Sequence, residues 1–244
     1  MLKFLTSDLR RNLTKIFCLT TGLAIGLLLV AKAFVEQSFD HAIPEYGNMY
    51  LVTESVTRNG EFSEYLSTPG AIAPGLKRYV PQVEKATRVS TLFGSLSVRT
   101  PDGKLVEADG VTLADSCLFD VLRWPAIVGN PKEALTVEDY CMIPRSLAEK
   151  LGDDVMGMTL TSPDVSDSYK VIVAGVYEDF PINSTFQNVI YLSLPTIGKF
   201  KRDGRDNWVG NDCYRSYVRM ANGTSMADVT PHIRRMLKEN VDKE

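Results

Sequence analysis

The sequence predicts an α+β fold held outside a membrane by one N-terminal helix, and three observations predict it. Residues 16–31 (IFCLTTGLAIGLLLVA) form a single uncharged apolar run. Beyond it, a strand–helix–strand pattern opens the exterior part, and the same kind of pattern returns near residue 214. Between those stretches lie short β-like runs separated by turn dipeptides. The expected organisation is a cytoplasmic segment (1–15), a transmembrane helix (16–35) and a discontinuous α+β unit (36–93 and 207–244). A β-rich subdomain (94–206) is inserted in that unit.

A spanning helix needs roughly 20 mostly apolar residues to cross about 30 Å of hydrocarbon. Lys32 interrupts the run, but Ala33, Phe34 and Val35 extend it. A lysine near a helix end can lay its stem along the lipid and keep its charge among the headgroups. Lys3, Arg10, Arg11 and Lys15 all precede the run, which places the N-terminus in the cytoplasm and the bulk outside. The rival reading is a cleaved signal peptide, for which Ala31-Lys32-Ala33 has the small-x-small form. Lysine beside the cleavage site and the long segment before the run weigh against it. Both readings put the remainder outside the cytoplasm.

Leu2, Leu5, Leu9 and Leu13 recur at helical spacing, with Lys3, Arg10 and Arg11 on other faces. That pattern fits an amphipathic helix on an anionic leaflet, and equally a plain basic flank. Gly22 and Gly26 make a G-x-x-x-G pair in the span, the candidate site for close helix packing. Glycine is common in membrane helices without such a role.

The chain carries 27 basic and 30 acidic residues, and residues 1–35 hold five of the basic and one of the acidic. The exterior therefore has 22 basic against 29 acidic residues, a net of −7. No nucleic-acid partner is expected, because that needs a concentrated basic face. About two hundred exterior residues suffice for a substantial core. Cys18 lies in the span, leaving Cys117, Cys141 and Cys213 outside; one bridge in an oxidising compartment, or three half-buried thiols, fit equally.

Along the exterior, residues 49–55 read as a strand. Thr68-Pro69 reads as a helix start, with Ile72, Leu76 and Val80 as its apolar stripe and Pro81 ending it. Residues 86–93 read as the next strand. Strands at 95–99, 105–111, 141–143, 169–177 and 188–194 follow, interrupted by a single short helix. Ser146 with Glu149 forms its capping box and Gly152 its stop. After a polar stretch (201–211), residues 214–220 read as a strand. Ser225 then caps a helix with Asp228 three residues on, and Met226, Val229, Ile233 and Leu237 form its apolar stripe.

The sequence shows no catalytic constellation. Its two histidines, His41 and His232, would each have to build a triad or a metal site alone. There is no phosphate-binding G-x-x-x-x-G-K-[ST] loop. The Glu178-Asp179 pair after a strand reads as a solvated turn. Neither an enzyme nor a cofactor is expected.

Several segments then fall in a telling order: RRNL (10–13), GLAIGL (22–27), ADSCLFDVL (114–122), VGNPKEAL (128–135), IPRSLAEKLG (143–152) and VAGVYEDFPINSTFQ (173–187). In these the chain resembles the N-terminal half of MacB/FtsX-like ABC transporter permeases, over the first membrane helix and the periplasmic core domain. The resemblance implies a non-enzymatic permease subunit in a bacterial inner membrane, with a porter-like α+β part and an inserted β-rich part. It implies coupling of cytoplasmic ATP hydrolysis to the periplasmic domain, for efflux or for envelope and lipoprotein handling. The implied partners are a separate cytoplasmic ATPase subunit or domain, a second permease copy, and a periplasmic adaptor or outer-membrane component. At least three further membrane helices ordinarily follow in such permeases, so the chain is expected to be an N-terminal portion or a truncated form. Residues 151–160 (LGDDVMGMTL) lack the usual aromatic before glycine and the lysine after the second glycine. The alternative function is a single-span, membrane-anchored sensor or binding domain with an exterior ligand pocket.

Overall fold

The computed structural model describes residues 2–58, 60–165, 170–200 and 204–241, with backbone alone for 2–10 and 58. The amphipathic face expected from Leu2, Leu5 and Leu9 lies outside the described side chains. Tyr169 of one expected strand, and residues 201–203 of the polar stretch, lie outside the described residues. The chain forms two compact units: residues 1–42 with 181–185, and residues 43–180 with 186–244.

The first unit is built on α1 (Leu2–Gln37), whose 36 residues make it about 54 Å long at the usual helical rise. Within its stretch Arg11–Gln37, 18 consecutive residues reach a mean hydropathy of 2.0, and the stretch is long and apolar enough to cross a membrane. All its described side chains from residue 11 to 37 are exposed. A contiguous apolar surface of that size calls for lipid or another helix around it.

In the second unit the chain runs β1 (Met49–Val52), the hairpin β2 (Glu54–Arg58) and β3 (Glu61–Tyr65), α2 (Ile72–Tyr79), β4 (Val83–Phe93), β5 (Leu96–Arg99), β6 (Leu105–Ala108) and β7 (Val111–Ala114). It continues through α3 (Leu118–Leu122), β8 (Ala126–Gly129), α4 (Pro131–Ala134), β9 (Tyr140–Pro144), α5 (Arg145–Leu151), β10 (Thr159–Thr161), β11 (Lys170–Tyr177), β12 (Ile190–Ser193), β13 (Arg215–Met220) and α6 (Met226–Asn240). Among the described residues, one sheet has the order β1-β13-β4-β7-β12-β9-β11-β10-β5-β6, with β8 also paired to β11. Pairing is antiparallel except for β7–β12 and β9–β11.

The central strands carry apolar residues on both faces, because each face is covered. Cys141, Ile143, Ile190 and Leu192 point into one core, while Met142 and Tyr191 between them point into another. A third cluster packs α2 and α6 on the strands at one end: Ile72, Leu76, Val80, Val83, Val218, Val229 and Met236.

Local start signals were read correctly at α6 but not at α2 or α5. Ser225 and Asp228 form the reciprocal capping box. Thr68, in contrast, makes a bridge with Tyr214 and shares a 2.8 Å hydroxyl contact with Ser216, so α2 begins at Ile72 without a side-chain cap. The Ser146 side chain does not cap α5 either; the first turn is capped from afar, its Ser146 N–H donating to Asp179 Oδ1 at 3.1 Å. Gly152 does stop α5, at φ 126°. The β-rich stretch holds α3 and α4 as well as α5, not a single helix. Both are too short for helical periodicity to register.

Candidate functional site

The C-terminal end of α1 is gripped by a loop from far along the chain. Helix ends leave carbonyls without intrahelical partners, and Asn183 supplies donors there: its Nδ2 donates to Ser38 O at 2.9 Å and to Ser38 Oγ at 3.0 Å. Asp40 completes the grip. Its N–H donates to Asn183 O at 2.9 Å. Its carboxylate accepts from Ser184 Oγ (3.0 Å), Thr185 N (2.8 Å) and Thr185 Oγ1 (2.5 Å). Asp40 adopts a left-handed φ of 60°, a conformation that aspartate tolerates better than most residues. Hydrogen bonds to a carboxylate are about twice as strong as neutral ones, so Asp40 is the centre of the clamp.

The same loop is flanked by Phe180 and Phe186, both buried in the second unit. Phe180 stacks on Trp124 at 4.7 Å, and Phe186 lies 5.0 Å from Tyr217. Asn188 ties the base, with Oδ1 accepting from Phe180 N at 2.7 Å and Nδ2 donating to Phe180 O at 3.0 Å. Tyr177 and Tyr191 belong to this aromatic core; burial pushes both phenols upward, so they stay protonated.

The first residues of the second unit are pinned within it. Ile43 is buried among the aromatics, and Arg219, 1% exposed, donates from Nη1 to Glu45 O (3.0 Å), from Nη2 to Pro44 O (3.0 Å) and from Nε to Val121 O (2.7 Å). The guanidinium meets all three carbonyls with donors held in a fixed planar fork.

The second unit also holds an apolar cavity of about 600 Å³, lined by α2, α6, β1 and β13 with Trp208. Methionines 220, 226 and 236 line it, giving adaptable, polarizable walls. A cavity of this size falls in the range for small-molecule ligands.

The residues singled out in the sequence are placed as follows. Gly22 and Gly26 lie four apart in α1, and a Cβ on either would meet nothing within 4 Å in this chain. His41 belongs to the first unit and His232 to α6 of the second. Glu178 is not a free solvated carboxylate: it pairs with Arg145, as Asp179 caps α5. Cys18, Cys117, Cys141 and Cys213 are all free thiols, and burial raises that of Cys141. Among the described residues no group of three His, Cys, Asp or Glu side chains could hold a metal. Asp40 and Arg219 carried no sequence signal of their own. Asn183, Ser184 and Thr185 stood in the most distinctive segment, but their partner at residue 40 was invisible there.

Comparison with known proteins agrees with this architecture. The chain is 30% identical to a crystallised domain assigned to a permease protein from Porphyromonas gingivalis, with a TM-score of 0.73 over 83% of this chain and 85% of that one. It shares its fold with the periplasmic region of MacB from Actinobacillus actinomycetemcomitans, at 11% identity and a TM-score of 0.52 over 81% of this chain and 87% of that one. No curated protein matches it by sequence. The model for the MacB-like periplasmic core domain matches residues 18–236. The chain therefore belongs to the family of MacB-like periplasmic core domains of ABC transporter permeases.

Proposed function

We propose that this chain is the N-terminal portion of a non-enzymatic permease subunit that passes ATP-driven movement from the cytoplasm to its periplasmic domain. α1 spans the inner membrane with its N-terminus in the cytoplasm, following the basic residues before the apolar run. A separate ATPase subunit or domain supplies the work, a second permease copy completes the membrane part, and a periplasmic adaptor or outer-membrane component receives the output. Residues 36–93 and 207–244 act as the porter-like part and 94–206 as the inserted part. Efflux and envelope or lipoprotein handling are the processes such a machine serves.

The observation that carries this reading is the clamp of Asn183, Ser184 and Thr185 on Ser38 and Asp40. A shift of a membrane helix does work outside only if its end is held by something stiffer than a flexible tether. The clamp is such a hold, and covalent continuity carries its loop directly into Phe180 and Phe186. Asp40→Ala and Asn183→Ala, in the assembled permease with its ATPase, should uncouple transport from ATP turnover by about tenfold, the scale of an ordinary coupling free energy. Expression and membrane insertion should stay normal. Unchanged coupling in both variants would remove the clamp from the mechanism.

The apolar cavity favours a second reading, in which the exterior part binds a ligand on its own account. An apolar fluorescent probe should then bind the protein, and Val229→Trp, which fills the cavity, should abolish that binding. Probe binding with no dependence on the ATPase partner favours the binding domain over the coupler.

A further inference from the structure

The geometry points to a lipid contact for the loop 181–185: its tip, Ile182, sits in the headgroup layer of the outer leaflet and fixes the depth of the clamp. This rests on the reading of α1 as a membrane span. Ile182 is 102% exposed, more than any other large apolar side chain among the described residues, those of α1 included. It touches nothing that would account for its apolar character, so the fold does not need it. Its position is nevertheless fixed. Ser184 N–H donates to Pro181 O at 3.1 Å, closing a tight turn with Ile182 and Asn183 at its centre. Asn183 is in turn bonded to Ser38.

Ser38 immediately follows Gln37, the last residue of α1. It stands about 5 Å along the axis from Val35, where the apolar run ends. The headgroup layer adds roughly 5–7 Å on each side of the hydrocarbon. With the hydrocarbon edge at Val35, the loop therefore lies within that layer. Its chemistry agrees: residues 181–185 (PINST) carry no charge, and the Asp40 carboxylate beside them is occupied by their own donors. Phe39, 41% exposed, adds a second apolar side chain at the same level. A bilayer is the partner that an uncharged loop with one projecting aliphatic residue, held at this height, would meet.

The test uses the full chain with Cys18, Cys117, Cys141 and Cys213 replaced by alanine. Ile182→Cys, labelled with an environment-sensitive fluorophore, is reconstituted into phosphatidylcholine vesicles. Lys104→Cys serves as the exterior reference. The expected result is blue-shifted emission at residue 182, lost on adding nitroxide-bearing lipid and resistant to aqueous iodide, with the reverse at residue 104. Iodide quenching equal to that of the reference, with no lipid quenching, overturns the proposal. Protection from both quenchers overturns it too, assigning the tip to a protein partner. Release of the protein from vesicles by alkaline carbonate removes the span itself and the proposal with it. None of these readouts involves ATP or transport, so the coupling reading stands or falls separately.

Discussion

Arg219 shows how a single side chain fixes the first residues of the second unit within it. Its three donors serve carbonyls at residues 44, 45 and 121, all drawn toward one buried point. Removing them strands polar groups away from water, each costing about 1–3 kcal/mol. Arg219→Met should therefore destabilise the exterior part, from residue 37 onward, by about 3 kcal/mol in urea unfolding. Arg219→Lys should recover only part of that, because an ammonium cannot match the fork geometry. A loss below about 1 kcal/mol would mean water replaces the guanidinium. Nothing in the sequence marks Arg219: it stands in RSYVRM, where alternation alone would not tell a buried guanidinium from a solvated one. Thr68-Pro69 misled for a related reason. Its cap-like chemistry is used in a bridge to Tyr214, a partner that no local pattern names.

Among the elements, those with strong periodic patterns were legible and those defined by remote partners were not. α1, β4, β11, β12, β13 and α6 follow from apolar runs, alternation or caps. The hairpin β2–β3 does not: its five-residue strands, ESVTR and EFSEY, are largely exposed and polar, so there is no buried face to write a pattern. In α1, Gly22 and Gly26 offer a smooth face. Replacing both with leucine should impair transport in the assembled permease while leaving the exterior fold unchanged, since added side chains hold a neighbouring helix away. Normal transport at normal expression would mean the glycines face lipid. In α6, the Ser225 hydroxyl and N–H hold the Asp228 carboxyl below its ordinary range. A lowered folded-state value adds stability above the unfolded pKa of about 3.9, and that stability is lost as pH falls through the folded value. Asp228→Asn should flatten the stability–pH curve below about pH 4 relative to the parent, and identical acid limbs would show that the box contributes nothing there.

At the scale of the whole molecule, fold class rests on signals spread over many residues, which is why it survives local misreadings. The α1 clamp rests on a few hydrogen bonds between residues 38–40 and 183–185. One-dimensional patterns hold no record of that meeting. The strand order carries a further consequence, in the dimension of time. β1 is the first strand to be synthesised, and among the described residues it pairs only with β13, Met49 opposite Arg219. The same late strand brings the other neighbour of β4. Closing so long a loop adds little to the final free energy but delays the step. The early strands must therefore wait with open edges until nearly the whole domain has been made, a period in which they are exposed to proteases and to mispairing. Because Arg219 arrives on that last strand and holds residues 44 and 45, the start of the second unit is fixed only when the domain is complete. The order of synthesis thereby sets the order of assembly: the carbonyls of residues 44 and 45 wait for their guanidinium until the last strand is in place.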